Sequence, residues 1–566
     1  MNRISHFFRQ NRCAVADAAL LAALLVPDVL TALWSGAAPA VRALGLILPA
    51  GVYVLLMSVT RRVGWNMVII FPFMFLSAFQ IVLFCLNREL VISADMWLNL
   101  PTTNPGEVFE LLHSLVSALL IVVVIFIPLI VWGVWAIAKG QTVSSAALRG
   151  RRMAGAALLV TGAVIAAAAR PPARTLVREI FPVNAVANLC NAVDFYGRTQ
   201  RYAETSAGFA FHAVKKPGTS VRELHIVVIG ETSRADNWQL TGYDRPTNAP
   251  LAGLDGLVAY PRVLSQSNTT HKSVPLLLSH LDARHYADSI YRVRSLVSAF
   301  GEAGYRTAWF SAQRRNRSFI DFFAAEADTC VFVRDTDPDA GDSALPALVR
   351  EELARGFGRQ LIVLHTYGSH FDYRSRYGDE ARTFVPDNYA AASEAYRPQL
   401  VNAYDNTVVA TSMLLRSLAD MAEADGRCAS LVYVSDHGED IFDDGGDLFL
   451  HASAVPSYYQ LHVPALVWFS GEYRALYPEK VSAALANRDR YVSSSSSLFH
   501  TVLDAADIAT PRLDTTLSLC SRSYRPPGPL YLDGNGEAVS PAASGMPEAD
   551  LERIRRIVEP LNTDRH

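Results

Sequence analysis

Surplus charge is the first thing this 566-residue sequence lacks: 51 Lys and Arg stand against 54 Asp and Glu, a formal net charge of −3. That balance excludes a generally basic, nucleic-acid-binding surface. Cysteine is scarce as well. The six residues, Cys13, Cys85, Cys190, Cys330, Cys428 and Cys520, are widely spaced and form no motif of the kind that holds a metal or runs redox chemistry. The first two fall in or beside apolar stretches. The last four lie in a part read below as exported, where disulfides are allowed but their pairing is not fixed by sequence. Internal repeats are absent, and low complexity is confined to the serine run Ser493–Ser497, expected to be a loop.

What the chain has in excess is apolar residues, 51% of the total, with a positive mean hydropathy. They concentrate in the first third. Five stretches, Ala14–Trp34, Ala43–Val59, Met67–Leu86, Leu115–Ala138 and Met153–Ala169, are long and apolar enough for membrane-spanning helices, which need about 20 residues each. Basic residues gather before the first (Arg3, Arg9, Arg12), between the second and third (Arg61, Arg62) and between the fourth and fifth (Lys139, Arg149, Arg151, Arg152). The two intervening loops hold only Arg42 and Arg88. The amino terminus is therefore expected in the cytoplasm and everything after Ala169 outside. "SGAAPA" resembles a signal-peptidase site, but the apolar stretch before it is longer than a signal core, so no cleavage is expected.

After a connector from 171 to 216, mixing prolines with amphipathic stretches suited to a membrane surface, the pattern changes. "LHIVVIG", "TAWFS", "LIVLHT", "SLVYVSD" and "ALVWFS" read as buried strands, and "YRVRSLVSAFGEAG", "ALPALVREELARG" and "QLVNAYDNTVVATSMLLRSLADMAEADG" as helices. Their alternation predicts an α/β/α domain with a mostly parallel sheet over 217–526, behind a membrane domain over 1–170. A Pro-, Gly- and charge-rich tail over 527–566 is expected to be partly disordered.

In such sheets ligands gather at the carboxyl ends of the strands. There the sequence places Glu231 after "LHIVVIG", His365 and His370 in "HTYGSH" after "LIVL", Asp436 and His437 in "DHGED" after "SLVYVS", and His451 at the end of "LFLH". Glu231, Asp436 and His437 offer two oxygens and one nitrogen. With an added hydroxyl they make a mixed four-coordinate site suited to Zn²⁺, with Mn²⁺ also accommodated. The segment "SNTTHKSVP" supplies adjacent threonine hydroxyls. A threonine is a poor nucleophile unaided, but a divalent cation acidifies its hydroxyl as it does bound water. His370 and His451 could then hold a second ion, bind the transferred group or protonate the leaving oxygen. His365 is as readily a core or supporting histidine as a ligand.

The segments "VVIGETSRADNWQLTGYDRPTNAPL", "SNTTHKSVPLLLS", "LHTYGSHFDYRSRY", "NAYDNT" and "VYVSDHGEDIFDDG…FLHASA…HVPALVWFS" resemble, in content and order, the bacterial phosphoethanolamine transferases. These include lipid A-modifying and mobile colistin-resistance enzymes of the alkaline phosphatase and sulfatase superfamily. The resemblance covers about 500 residues. It implies a zinc site of Glu231, Thr270, Asp436 and His437, with Thr270 the nucleophile because it stands three residues before Ser273 in "SVP". His370 and His451 match histidines that serve the phosphoethanolamine group or an extra zinc, and Asn99, Thr103 and Glu107 match an Asn–Thr–Glu set near the lipid head group.

The implied enzyme is an inner-membrane, multi-pass protein, expected to be a monomer, with its catalytic domain in the periplasm. It takes phosphatidylethanolamine as donor and lipid A, lipopolysaccharide core or periplasmic glucan as acceptor. One zinc is tightly bound, with a second or third joining transiently. Departures bear on the acceptor. No cysteine flanks Thr270, "HFD" at His370–Asp372 replaces "HGP", and the Asp436–His451 stretch is long. A donor-contacting lysine has no clear counterpart, Arg315 and Arg317 being the candidates to replace it. A phosphoglycerol transferase shares the same logic. A formylglycine sulfatase does not, because no Cys-X-Pro-X-Arg pattern occurs in the segment. A non-catalytic glycan-binding envelope protein is the rival from another class.

Overall fold

The computed structural model describes residues 12–87, 90–102, 116–217, 221–287 and 289–559. They fall into two compact units. The first ends at Val193, and the second takes the chain from Asp194 on together with a short segment beginning at Leu98.

The first unit holds five helices long and apolar enough to cross a membrane. Helices α1 (Arg12–Leu24) and α2 (Val26–Trp34) make one span, jointed beside Pro27. The others are α3 (Pro39–Leu56), α4 (Val63–Asn87), α6 (Val116–Ala138) and α7 (Ser145–Ala169), with the short α5 (Ala94–Thr102) between α4 and α6. Helix α7 starts eight residues before the apolar run, because Ser144 caps it by accepting from the Ala147 N–H at 3.1 Å. Its first turns carry basic residues that the sequence places in a loop: Arg151 pairs with Asp17 at 2.5 Å, and Arg152 donates to the Ser58 and Val59 carbonyls at 2.9 and 2.8 Å. Small residues let α3 and α7 approach closely: a Cβ on Gly51 or Gly155 would lie 3.1 Å from the other's carbonyl oxygen. The connector is helical, as α8 (Ala173–Glu179) and α9 (Val183–Gln200).

The second unit is built on a seven-stranded sheet of β1 (Glu223–Gly230), β2 (Leu257–Tyr260), β3 (Arg306–Ser311), β4 (Thr329–Phe332), β5 (Arg359–His365), β6 (Cys428–Ser435) and β7 (Ala465–Phe469). Its order is β2-β7-β6-β1-β5-β3-β4. All neighbours are parallel except at β7, which is antiparallel to β6 and to β2. Alternate side chains enter two separate cores: Val227, Ile229, Val363 and Val432 pack on one side, Ile226, Val228, Ile362 and Leu431 on the other. Burial on both faces is why the strands read as unbroken apolar runs rather than alternating ones. Helix α10 (Thr270–Leu278) belongs to the first core and the long α11 (Arg397–Ala424) to the second.

One expectation fails here. The serine run is not a loop, because Ser494–Ser497 form the first turn of α12 (Ser494–Ala505), every residue of which is buried. Small side chains can start a helix inside a packed core, so composition alone misled. The tail is ordered as far as it is described. It forms a hairpin of Tyr531–Leu532 with Ala538–Val539, then α13 (Glu548–Val558). Tyr531, Met546 and Ile554 bury themselves with Leu264, Tyr458, Leu461 and Tyr491, and that apolar anchor outweighs the polar composition around it.

Candidate active site

Central strands β1 and β6 lie side by side and parallel, so the loops that leave them emerge at the same edge. Glu231 comes directly after β1, and Asp436 and His437 directly after β6. One ligand atom from each of the three lies within 4.8 Å of the other two, and all three side chains are buried. Thr270, the first residue of α10, brings its Oγ1 to 3.1 Å from Glu231 Oε1 and 3.1 Å from His437 Nε2. Its neighbour Thr269 precedes the helix and turns its own hydroxyl to Ser267 Oγ at 3.1 Å.

Asp436 and His437 are oriented by the backbone. Asp436 Oδ1 accepts from the Thr232 and His437 amides at 3.0 and 2.7 Å, while Oδ2 lies 3.2 Å from His437 Nε2. The Gly438 carbonyl, 2.9 Å from His437 Nδ1, fixes the proton on that nitrogen and leaves the Nε2 lone pair toward the cluster. Burial, with the Asp436 charge beside it, pushes the Glu231 carboxyl well above its usual range. Burial raises Asp436 and holds the His437 imidazole neutral. Among the described residues no Lys or Arg pairs with either carboxylate. Two such groups are costly unless a cation compensates them, and two carboxylates, a neutral imidazole and a hydroxyl are a donor set that a divalent ion of the zinc type accepts.

His370 and His451 extend the cluster. Ring centroids are 4.2 Å apart for His437 and His451 and 6.0 Å for His370 and His451. His370 stacks on Tyr367 and its Nδ1 is 2.7 Å from the Phe371 carbonyl, while His451 Nδ1 is 3.3 Å from Glu439 Oε2. Asn99 lies in α5; Thr103 and Glu107 lie outside the described residues.

Two placements carry no signal in the sequence. Gln313 Nε2 donates to Glu231 Oε2 at 2.9 Å and to the Thr366 carbonyl at 3.0 Å, and sits 3.2 Å from His365 Nε2. His365 therefore meets the cluster through Gln313. Of "SAQRRNRS", it is this glutamine that touches the ligand set, whereas Arg315 is exposed and paired with Asp335 at 3.1 Å. The buried Glu439 takes hydrogen bonds from Tyr373 and from His451. It belongs to "DHGED", but so do other acids, and only the fold singles it out.

A cation-ready carboxylate–imidazole cluster beside a helix-borne hydroxyl, at the carboxyl edge of a mainly parallel sheet, defines the class of ester-cleaving and ester-transferring enzymes of the alkaline phosphatase type. Within that class, residues 224–508 match the model of the sulfatase family, and the chain belongs to that family. Its relatives include phosphoethanolamine transferases. Phosphoethanolamine transferase EptA of Escherichia coli K12 is 30% identical over 313 residues, 53% of this chain and 57% of the relative, so the match spans little more than half of that protein's length. The integral membrane lipooligosaccharide phosphoethanolamine transferase A of Neisseria meningitidis shares the fold over 91% of this chain and 98% of its own, at a TM-score of 0.73 and 21% identity. The periplasmic domain of EptC from Escherichia coli, a structure in complex with Zn, covers 60% of this chain and 97% of its own, at a TM-score of 0.54 and 23% identity.

Proposed function

We propose that this chain is a zinc-dependent phosphoethanolamine transferase of the bacterial inner membrane, with its amino terminus in the cytoplasm and the sulfatase-like unit in the periplasm. The membrane domain extends to about residue 170, and the catalytic domain occupies about 217–526. The observation that carries this reading is the contact of Thr270 Oγ1 with both Glu231 and His437 at 3.1 Å. Glu231, Asp436, His437 and Thr270 would hold the zinc. What a bound zinc ion supplies there is positive charge, which lowers the pKa of a neighbouring hydroxyl.

Thr270 Oγ attacks the phosphorus of phosphatidylethanolamine. A bond forms from Oγ to phosphorus, the bond from phosphorus to the diacylglycerol oxygen breaks, and the proton given up by Thr270 is matched by the one diacylglycerol takes. His451, with Nδ1 held toward Glu439, presents Nε2 for that exchange, and His370 flanks it. A hydroxyl or phosphate of lipid A, lipopolysaccharide core or periplasmic glucan then attacks phospho-Thr270 and carries the phosphoethanolamine away, and Thr270 recovers a proton. His370 and His451 serve the transferred group or a second, transient zinc, and Asn99, Thr103 and Glu107 serve the donor head group. Membrane spans suit an enzyme whose donor is a lipid.

The test is the intact mass of the purified full chain after incubation with phosphatidylethanolamine, alongside mass spectra of lipid A, core and glucan from expressing cells. Wild type should gain the mass of one phosphoethanolamine, chelator should abolish the gain, and Thr270→Ala should show neither adduct nor modified glycan. An adduct that persists in Thr270→Ala overturns the proposal.

A further inference from the structure

A second polar site is built into the membrane unit. Asp28, in the first turn of α2, is only 2% exposed, and neither of its carboxylate oxygens has a hydrogen-bond partner among the described residues. The hydroxyls of Thr31, one turn on, and Ser35 are unpartnered in the same way. All three line a narrow cleft whose other walls include Arg42, Glu179 and Phe181. Asp17, another buried acid of this unit, pairs with Arg151 at 2.5 Å. Asp28 is the exception, and a buried acid of a membrane helix without a partner marks a binding function rather than packing.

The donor and acceptor inventory names the ligand. Carboxylate and hydroxyl oxygens facing one cleft suit a group that donates three hydrogen bonds and carries a positive charge, which is a primary ammonium. Phe181 lines the same cleft, and an aromatic residue there suits a cation. Arg42, whose Nη1 donates to the Ala32 carbonyl at 3.4 Å, adds a guanidinium suited to a phosphodiester. Partial burial pushes the Glu179 carboxyl upward, against the pull of the neighbouring Arg178 charge. Membrane topology places the cleft at one interface. The turn between α2 and α3 and the segment after α7 lie on the same side of a five-span bundle, and Trp34, 60% exposed at the end of α2, is the aromatic expected at that level. The exposed Val29 and Leu33 beside it offer acyl chains an apolar flank.

We propose that Asp28, Thr31, Ser35, Arg42 and Glu179 form a head-group site for a phospholipid bearing a primary ammonium. It is distinct from the Asn99–Thr103–Glu107 set, and it stands whether or not the chain transfers phosphoethanolamine. The test is native mass spectrometry of the detergent-purified full chain, carrying Thr270→Ala so that lipid is not consumed. Phosphatidylethanolamine, phosphatidylcholine and phosphatidylglycerol of matched acyl chains are titrated in parallel. Phosphatidylethanolamine should be retained roughly tenfold more tightly than the other two, as charged hydrogen bonds imply, and Asp28→Asn should erase the preference. Should Asp28→Asn fail to fold, Glu179→Gln, on the connector, should weaken the preference severalfold while phosphatidylglycerol binding stays unchanged. Equal retention of the three lipids by the parent chain, or an undiminished preference in the folded variants, overturns the site.

Discussion

Gly368, in the turn after β5, sets the position of Glu231. Its φ is +49°, and a Cβ there would lie 2.6 Å from the Glu231 carbonyl oxygen and 3.0 Å from the Glu231 nitrogen. The turn cannot retreat easily, since the Tyr367 and Gly368 amides are held by Asp342 at 2.6 and 2.9 Å and the Ser369 amide bonds the Glu231 carbonyl at 2.9 Å. Gly368→Ala therefore carries two costs, a left-handed alanine at about 1–2 kcal/mol and an overpacked backbone at about 1–3 kcal/mol. Gly304→Ala isolates the first, because Gly304 has φ +83° and a Cβ there would meet nothing within 4 Å. Full-length variants are compared by thermal unfolding in detergent and by zinc affinity in chelator competition. Gly304→Ala should lose about 1–2 kcal/mol and keep wild-type affinity. Gly368→Ala should lose about 2–5 kcal/mol and, by displacing a ligand, bind zinc roughly 10- to 100-fold more weakly. If the two variants match in both measurements, the turn does not fix Glu231 and the reasoning fails.

Gln313→Leu removes the amide that holds Glu231 Oε2 at 2.9 Å; the same competition assay should read a zinc affinity about 10- to 100-fold lower. At the opposite end of β1, burial alone would raise the Glu223 carboxyl, but the His225 ring, 3.7 Å away, and hydrogen bonds from Tyr305 and Lys215 hold it down at about 2. A carboxylate depressed on folding contributes stability that is complete above its unfolded pKa, near 4.5, and is lost as pH falls through about 2. Burial keeps His225 toward its neutral form, so we expect a contribution of about 2 kcal/mol rather than the full shift. Denaturation of wild type and Glu223→Gln should accordingly differ at pH 6 and converge near pH 2; a gap that does not narrow would refute the pairing.

Much of this architecture is legible from residue order alone, and the exceptions have physical causes. The strands are legible because a strand buried on both faces has no polar alternation, and the spans because no soluble helix needs such length without charge. The direction of β7 is not, since "ALVWFS" packs equally well either way and its orientation depends on which neighbour it reaches. Glu231, Asp436 and His437 stand out because polar residues interrupt apolar runs at the sheet edge. Gln313 carries no such signal: a glutamine among arginines in a loop looks like solvated surface, and only three-dimensional proximity to Glu231 gives it work. Glu439 is hidden by company, in a stretch where several acids compete.

The cation cluster draws its members from positions 231, 270, 436 and 437. A fragment that stops short of Asp436 lacks two of the four, so the chain must extend through β6 before all of them can meet. If the cluster takes its ion, loading would have to wait until β1 and β6 lie side by side, and a loaded molecule would be one whose central strands have paired.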